Sequence, residues 1–329
     1  MKRKFVNTLA AGVMVSAMAI TGCMSAFAGE TETATEESGA EGEAEEETEA
    51  YTGDASDENT RNQDDIGEKE LLVVSFGTSY NDNRKATIGA IEDALEAAFP
   101  DYSVRRGFTS QIIIDHVMDR DGVAIDNVEE ALNRAADNGV KTLVVQPTHL
   151  MNGLEYDELM GTLAEYADSF EQVAVGEPLL TSDEDFQAVA SAITDATSEY
   201  DDGTTAIVFM GHGTEAESNQ VYSRMQEILT ENGFENYYVG TVEAEPALDD
   251  VIAAMDGKGY ERVVLQPLMV VAGDHANNDM AGDEEGSWKT TLEDAGYQVE
   301  TVLTGLGELE AIQDLYVEHA QAAIDSLAE

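Results

Sequence analysis

Apolar and polar positions follow two regimes along the chain. From residue 71 onward, short unbroken apolar runs such as Val73-Val74, Val144-Val145 and Ile207-Val208-Phe209-Met210 are separated by longer stretches with apolar residues every three or four positions. The short runs read as parallel strands covered on both faces, and the longer ones as amphipathic helices. The pattern predicts eight strands, at 71–76, 103–108, 142–146, 172–176, 205–210, 237–241, 263–266 and 298–303. Asp126 with Glu129 reads as an N-terminal capping pair. Ser218 reads as the opening of a helix with the buried face Val221, Met225, Ile228 and Leu229. A final helix is expected over 308–327. Strand and helix in alternation mean an α/β fold.

The eight strands divide four and four, and the halves echo one another. Val73-Val74-Ser75-Phe76-Gly77-Thr78 parallels Ile207-Val208-Phe209-Met210-Gly211-His212-Gly213-Thr214, and Val144-Val145-Gln146-Pro147 parallels Val264-Leu265-Gln266-Pro267. The expectation is two similar doubly wound domains with parallel sheets, 71–182 and 183–329, joined near 181–185 and facing a central cleft. The last helix is expected to pack back on the first domain.

The first 70 residues follow neither regime. Lys2, Arg3 and Lys4 precede an apolar, small-residue run from Phe5 to Ile20, the form of an export signal. Ile20-Thr21-Gly22-Cys23 fits a lipobox that would lipidate Cys23, and Ala26-Phe27-Ala28 before Gly29 fits a signal-peptidase site. Residues 1–28 are therefore assigned to targeting. Residues 29–70, rich in Glu, Thr, Ala, Gly and Ser, read as a disordered acidic linker. The expected location is exported, at the cell surface or in the periplasm, with the membrane reached only through that N-terminal signal or lipid.

Composition narrows the function. The chain has 68 Asp and Glu against 16 Lys and Arg, a formal charge of −52. A surface of that sign attracts cations and argues against nucleic acid, whose phosphates need basic groups to displace their counterions. One Cys excludes an intrachain disulfide framework and a Cys-based zinc cage. No Gly-x-Gly-x-x-Gly or Walker pattern follows any strand, which argues against a nucleotide.

The candidate chemistry falls at strand ends, where open α/β sheets bind ligands. In the second half His212, Glu243 and His275 each follow one of three successive strands. Two imidazoles and a carboxylate suit a borderline divalent ion such as Co²⁺, Ni²⁺, Fe²⁺ or Zn²⁺ and leave coordination positions open. Glu245 rivals Glu243, and Asp274 is a rival ligand or an acceptor for His275. His149, after the equivalent strand of the first half, is expected to face the other two histidines across the cleft in a catalytic role. His116 and His319 read as structural. Met151, Met210, Met269 and Met280 lie near the same strand ends, where they suit core packing or a large flat apolar ligand. Arg84 and Lys85 are candidates to hold substrate carboxylates.

Five segments in order carry a resemblance: Ser75-Phe76-Gly77-Thr78-Ser79-Tyr80, Gln146-Pro147-Thr148-His149, Met210-Gly211-His212-Gly213-Thr214, Val239-Gly240-Thr241-Val242-Glu243, and the run Ala272-Gly273-Asp274-His275-Ala276-Asn277-Asn278-Asp279-Met280-Ala281-Gly282-Asp283. The chain resembles the anaerobic cobalt chelatases of the CbiK type over 71–329. The resemblance implies a pair of α/β domains around a cleft and ATP-independent insertion of Co²⁺ into sirohydrochlorin on the route to cobalamin. It also implies no tightly bound cofactor, Co²⁺ being a substrate, and it makes His212 the metal ligand and pyrrole-proton acceptor, with Glu243 and His275 completing the metal site. A homo-oligomer is compatible with it. The export signal raises a second reading, a tethered metal or tetrapyrrole scavenger without turnover.

Overall fold

The computed structural model describes residues 52–56 and 58–328; the expected export signal, Cys23, the stretch through residue 51 and the last residue lie outside the described residues. Two four-stranded sheets organise the chain. The first, in the order β2-β1-β3-β4, contains β1 (Lys69–Ser75), β2 (Ser103–Phe108), β3 (Thr142–Pro147) and β4 (Gln172–Val175). The second, β6-β5-β7-β8, contains β5 (Thr205–Gly211), β6 (Tyr237–Thr241), β7 (Arg262–Pro267) and β8 (Gln298–Thr301). Every pairing is parallel, so each crossover carries a helix and both faces are covered. The strand orders are identical, which is the doubly wound α/β pair read from the sequence.

The helices are α1 (Asn81–Arg84), running through a π turn (Lys85–Gly89) into α2 (Ala90–Ala98), then α3 (Gln111–Asp121), α4 (Val128–Asp137) and α5 (Leu154–Tyr166) in the first half. The second half has α6 (Asp183–Ala196), α7 (Gln220–Glu231), α8 (Leu248–Met255), α9 (Trp288–Asp294) and α10 (Glu310–Ser326). Among the described residues no helix is long and apolar enough to cross a membrane.

The halves share a core. Leu71, Val73, Leu95 and Val144 of the first half pack into one cluster with Ile207, Phe209, Met225 and Tyr237 of the second. Burying each such side chain contributes roughly 1.5–3 kcal/mol. The bridge is α10, which follows β8 in sequence yet packs against α2, β3, β4 and α6. Its fully buried Tyr316 donates a hydroxyl hydrogen bond to Thr148 O, 2.8 Å away.

Local expectations needed correction where long-range partners intervene. Strand β1 starts at Lys69, because backbone pairing to Thr142 extends it past its polar end, and it stops at Ser75 with Phe76 half-exposed. The cap of α4 is Asn127, whose side chain accepts from Glu130 N while Glu130 reaches back to Asn127 N. Asp126 instead pairs with Arg134 at 2.6 Å. Ser218 does not cap α7; it lies in the preceding 3₁₀ turn, Glu217–Asn219, with its hydroxyl buried and without a hydrogen bond among the described residues. The expected face Val221, Met225, Ile228 and Leu229 is buried, joined by Tyr222.

The largest correction concerns the acidic linker. Its described part from Glu58 to Ile66 lies docked along the first half. Arg61 reaches Glu92 at 3.1 Å and also pairs with Asp93 and Glu96. Glu58 pairs with Arg84 at 3.1 Å and with Arg106, whose guanidinium also holds Glu92 at 2.7 Å. Ser103 Oγ donates to Ile66 O at 2.7 Å. Composition predicts disorder from the lack of apolar residues, whereas this stretch is held by ion pairs to buried arginines far along the chain.

Candidate active site

The loops after β5, β6 and β7 meet at the carboxyl end of the second sheet. His212 leaves β5 between two glycines whose smallness is set by protein neighbours rather than by a ligand. A Cβ on Gly211 would stand 2.1 Å from Tyr222 Cε1, and one on Gly213, at φ +89°, would stand 2.9 Å from Ala244 N. The Tyr222 hydroxyl accepts hydrogen bonds from the His212 and Gly213 amides. This clamp fixes the backbone and leaves the His212 side chain exposed.

His212 Nδ1 is 2.8 Å from Gly213 O, a carbonyl that only accepts, so in the neutral ring Nδ1 carries the proton and Nε2 the lone pair. His275 follows the same rule. Its Nδ1 is 2.7 Å from Asp279 Oδ2, one turn further along the π turn Ala276–Met280. The two rings stand edge to face, centroids 4.6 Å apart at 87°. The hydrogen bond to Asp279 raises the basicity of His275, burial opposes it, and the charges of Asp279, Asp274 and Glu243 add to it. A histidine whose far nitrogen is held by a carboxylate is oriented and made more basic as a metal ligand.

The carboxylate rivals separate by their partners. Glu243 is exposed, its amide donates to His212 O at 2.8 Å, and its charge is felt at His275. Glu245 shares a hydrogen bond with Asp250, which raises its pKa. Asp274 accepts from Asn278 Nδ2 at 2.6 Å. The acceptor for His275 is thus Asp279, because the i, i+4 geometry of a helical turn brings it to the ring. The structure brings His212 and His275 together and Glu243 to their edge. Among the described residues no three His, Cys, Asp or Glu side chains close on one point.

His149 lies two residues beyond β3. Both ring nitrogens are buried and, among the described residues, make no hydrogen bond. Burial pushes its pKa down to about 4, with the Glu155 carboxylate pulling weakly the other way, so the ring is neutral at pH 7. An unpartnered buried imidazole costs stability unless something else uses it. His116 lies half-buried on α3, and His319 bonds Glu177 O and Asp185.

One further expectation fails. Arg84 is fully buried and donates to Thr78 O at 2.8 Å, to Asn81 and to Glu58, so it is unavailable to a substrate carboxylate. Lys85 beside it is exposed. Met210 and Met280 belong to the core under the second sheet, and Met151 and Met269 are half-buried at its margins. Sequence reasoning missed Tyr222, whose hydroxyl holds the Gly213 amide, Glu155, whose charge reaches His149, and Asn83, which bonds Ala272 far along the chain. A separate cavity of about 540 Å³ along the free edge of β6, lined by Tyr237, Tyr238, Pro246 and Lys258 among others, contains none of the candidate site residues.

Two doubly wound parallel sheets with a histidine pair at the strand ends of one define a two-sheet α/β protein, and the fold is shared with SirB from Bacillus subtilis with Fe³⁺. That structure superposes with a TM-score of 0.54 at 13% identity, over 80% of this chain and 96% of its own. Residues 69–325 match the model of the cobalt chelatase (CbiK) family, and the chain belongs to that family. A sirohydrochlorin cobaltochelatase of Salmonella typhimurium is 38% identical over 261 residues, 79% of this chain and 98% of the relative. The sirohydrochlorin cobaltochelatase CbiKC of Nitratidesulfovibrio vulgaris is 30% identical over 261 residues, covering 92% of that protein.

Proposed function

We propose that this protein is a sirohydrochlorin cobaltochelatase, inserting Co²⁺ into the tetrapyrrole without ATP, with Ni²⁺, Fe²⁺ or Zn²⁺ as alternative ions. The observation that carries the reading is the His212–His275 pair, centroids 4.6 Å apart, each Nδ1 occupied by a protein acceptor so that both Nε2 lone pairs are available.

The two imidazoles, with Glu243 at their edge, hold the incoming ion. Insertion exchanges one divalent ion for two pyrrolic protons. As the ion passes to the macrocycle nitrogens, His212 and His275 each regain a lone pair, and two lone pairs match the two protons that must leave. Asp279 stabilises the imidazolium formed on His275, and Gly213 O holds His212 Nδ1–H before and after its Nε2 takes a proton. His149, neutral and buried, is assigned a catalytic place on the first-half side of the cleft. The acidic surface raises the local cation concentration.

Lys2-Arg3-Lys4, the apolar run behind them and the lipobox at Cys23 support export, with the folded part tethered outside the cytoplasm. Fractionation of cells producing the protein and its Cys23→Ala variant tests this, since release of the variant from the membrane is the expected result.

The activity is tested by anaerobic incubation of the purified full chain with sirohydrochlorin and Co²⁺, followed by absorbance. Conversion faster than without protein, lost in His212→Ala, is the expected result. Tight binding with no acceleration replaces the chelatase with a tethered scavenger.

A further inference from the structure

The loop that presents His275 belongs to the second half, yet a residue of the first half holds it. Ala272, buried three positions before His275, donates its amide to Asn83 Oδ1 at 2.9 Å. The Ala272 and Gly273 carbonyls accept from Asn277 Nδ2 at 3.1 and 2.7 Å, so residues 272–277 close into one compact turn that moves with its anchor. On its other side Asn83 Nδ2 reaches Glu308 Oε1 at 3.4 Å, and Glu308 Oε1 also accepts from Gly305 N at 2.9 Å. One amide side chain thus ties the β7 loop to the loop after β8.

Asn83 is itself firmly set. It ends a stretch whose neighbours Thr78 and Asn81 are held by the buried Arg84 guanidinium, which Glu58 neutralises. The Asn83 carbonyl accepts from Thr87 Oγ1 at 2.6 Å within the π turn. That turn fits tightly against the second half: a Cβ on Gly305 would stand 2.9 Å from Thr87 Cγ2, and one on Gly307 would stand 3.0 Å from Thr87 Cβ. A π turn inside a helix is a feature that recurs at functional sites.

We propose that Asn83 is a positioning residue for His275, setting from the first half the distance and angle at which that imidazole meets His212. The proposal rests on the reading of His275 as a metal ligand. Without the Asn83 acceptor the buried Ala272 amide is left unpaired, and the relief open to it is a shift of the turn that carries the ring.

The test is anaerobic Co²⁺ titration of the full chain, read by ligand-field absorbance, together with KM for Co²⁺ and kcat in the chelation assay. Asn83→Ala is expected to weaken Co²⁺ binding and raise its KM by about tenfold, as loss of outer-shell support does at other metal sites. The double variant Asn83→Asp with Glu308→Gln keeps the acceptor toward Ala272 and the bond toward residue 308, and is expected to recover most of the loss. Wild-type Co²⁺ affinity in Asn83→Ala, or equal impairment of both variants, overturns the proposal. The control is His275→Ala: if it binds Co²⁺ like the wild type, the ligand reading falls and the proposal with it. If it loses Co²⁺ while Asn83→Ala keeps it, only the proposal falls.

Discussion

His319 Nε2 lies 3.0 Å from Asp185 Oδ1, joining the last helix to the segment that links the two halves. Its Nδ1 lies 3.0 Å from Glu177 O at the other end of that segment. A carbonyl and a carboxylate both accept, so both ring nitrogens donate and the ring is an imidazolium. Burial disfavours that charge, but the bond and charge of Asp185 with the contribution of Glu177 outweigh it, and the pKa is raised above its ordinary value.

A raised histidine pKa gives stability that is complete below the unfolded value, about 6.5, and lost as pH rises through the folded one. The Glu177 carboxyl, pushed up by burial, and Asp185, held down by His319 and Ser182 against burial, are the charged groups facing the ring. The melting-temperature deficit of His319→Gln is expected to be larger at about pH 6 than at about pH 9. A deficit independent of pH would show that the ring acts by packing alone.

His149 has the opposite sign. Its folded pKa of about 4 lies below the unfolded value, so the unfolded chain binds the extra proton and stability falls as pH drops through that interval. His149→Phe removes two unpartnered buried nitrogens and is expected to raise the melting temperature at acid pH while lowering chelation turnover. Unchanged turnover would take His149 out of the reaction.

Glu58, its side chain 6% exposed, is the shared counter-ion of Arg84 and Arg106. Arginine attraction, Arg106 above Arg84, keeps its pKa below the usual range against the pull of burial. Glu58→Gln leaves Arg84 buried without that partner and is expected to cost about 3–5 kcal/mol in urea unfolding. A loss under about 1 kcal/mol would put the pair in the class of surface ion pairs.

Gly213 combines a φ of +89° with a Cβ position 2.9 Å from Ala244 N, so Gly213→Ala must move the loop that carries His212. Turnover is expected to fall by about tenfold or more, in keeping with the cost of a misplaced reacting group. Gly203→Ala, at φ +75° but with open space around it, carries the same kind of backbone strain and is expected to leave turnover unchanged. Equal losses in both would assign the effect to strain rather than to the position of His212.

What the sequence determined by itself was whatever depends on neighbours along the chain. Val73-Val74 and Ile207-Val208 declare buried parallel strands because an unbroken β-rich apolar run is stable only with both faces covered. The shared pattern of the halves gave the double architecture. Because strand ends are where such sheets bind ligands, His212, Glu243 and His275 could be picked out before any geometry was known. Tertiary structure decided the partners. Asp279 rather than Asp274 orients His275, Glu245 turns to Asp250, and Arg84 is spent on Glu58 instead of a substrate. It also made the stretch from Glu58 to Ile66 part of the fold. In a chain with 68 carboxylates, residue type hardly distinguishes one from another. Which of them meets a cation or an imidazole depends on contacts between segments far apart in sequence, and those exist only once the sheets have assembled.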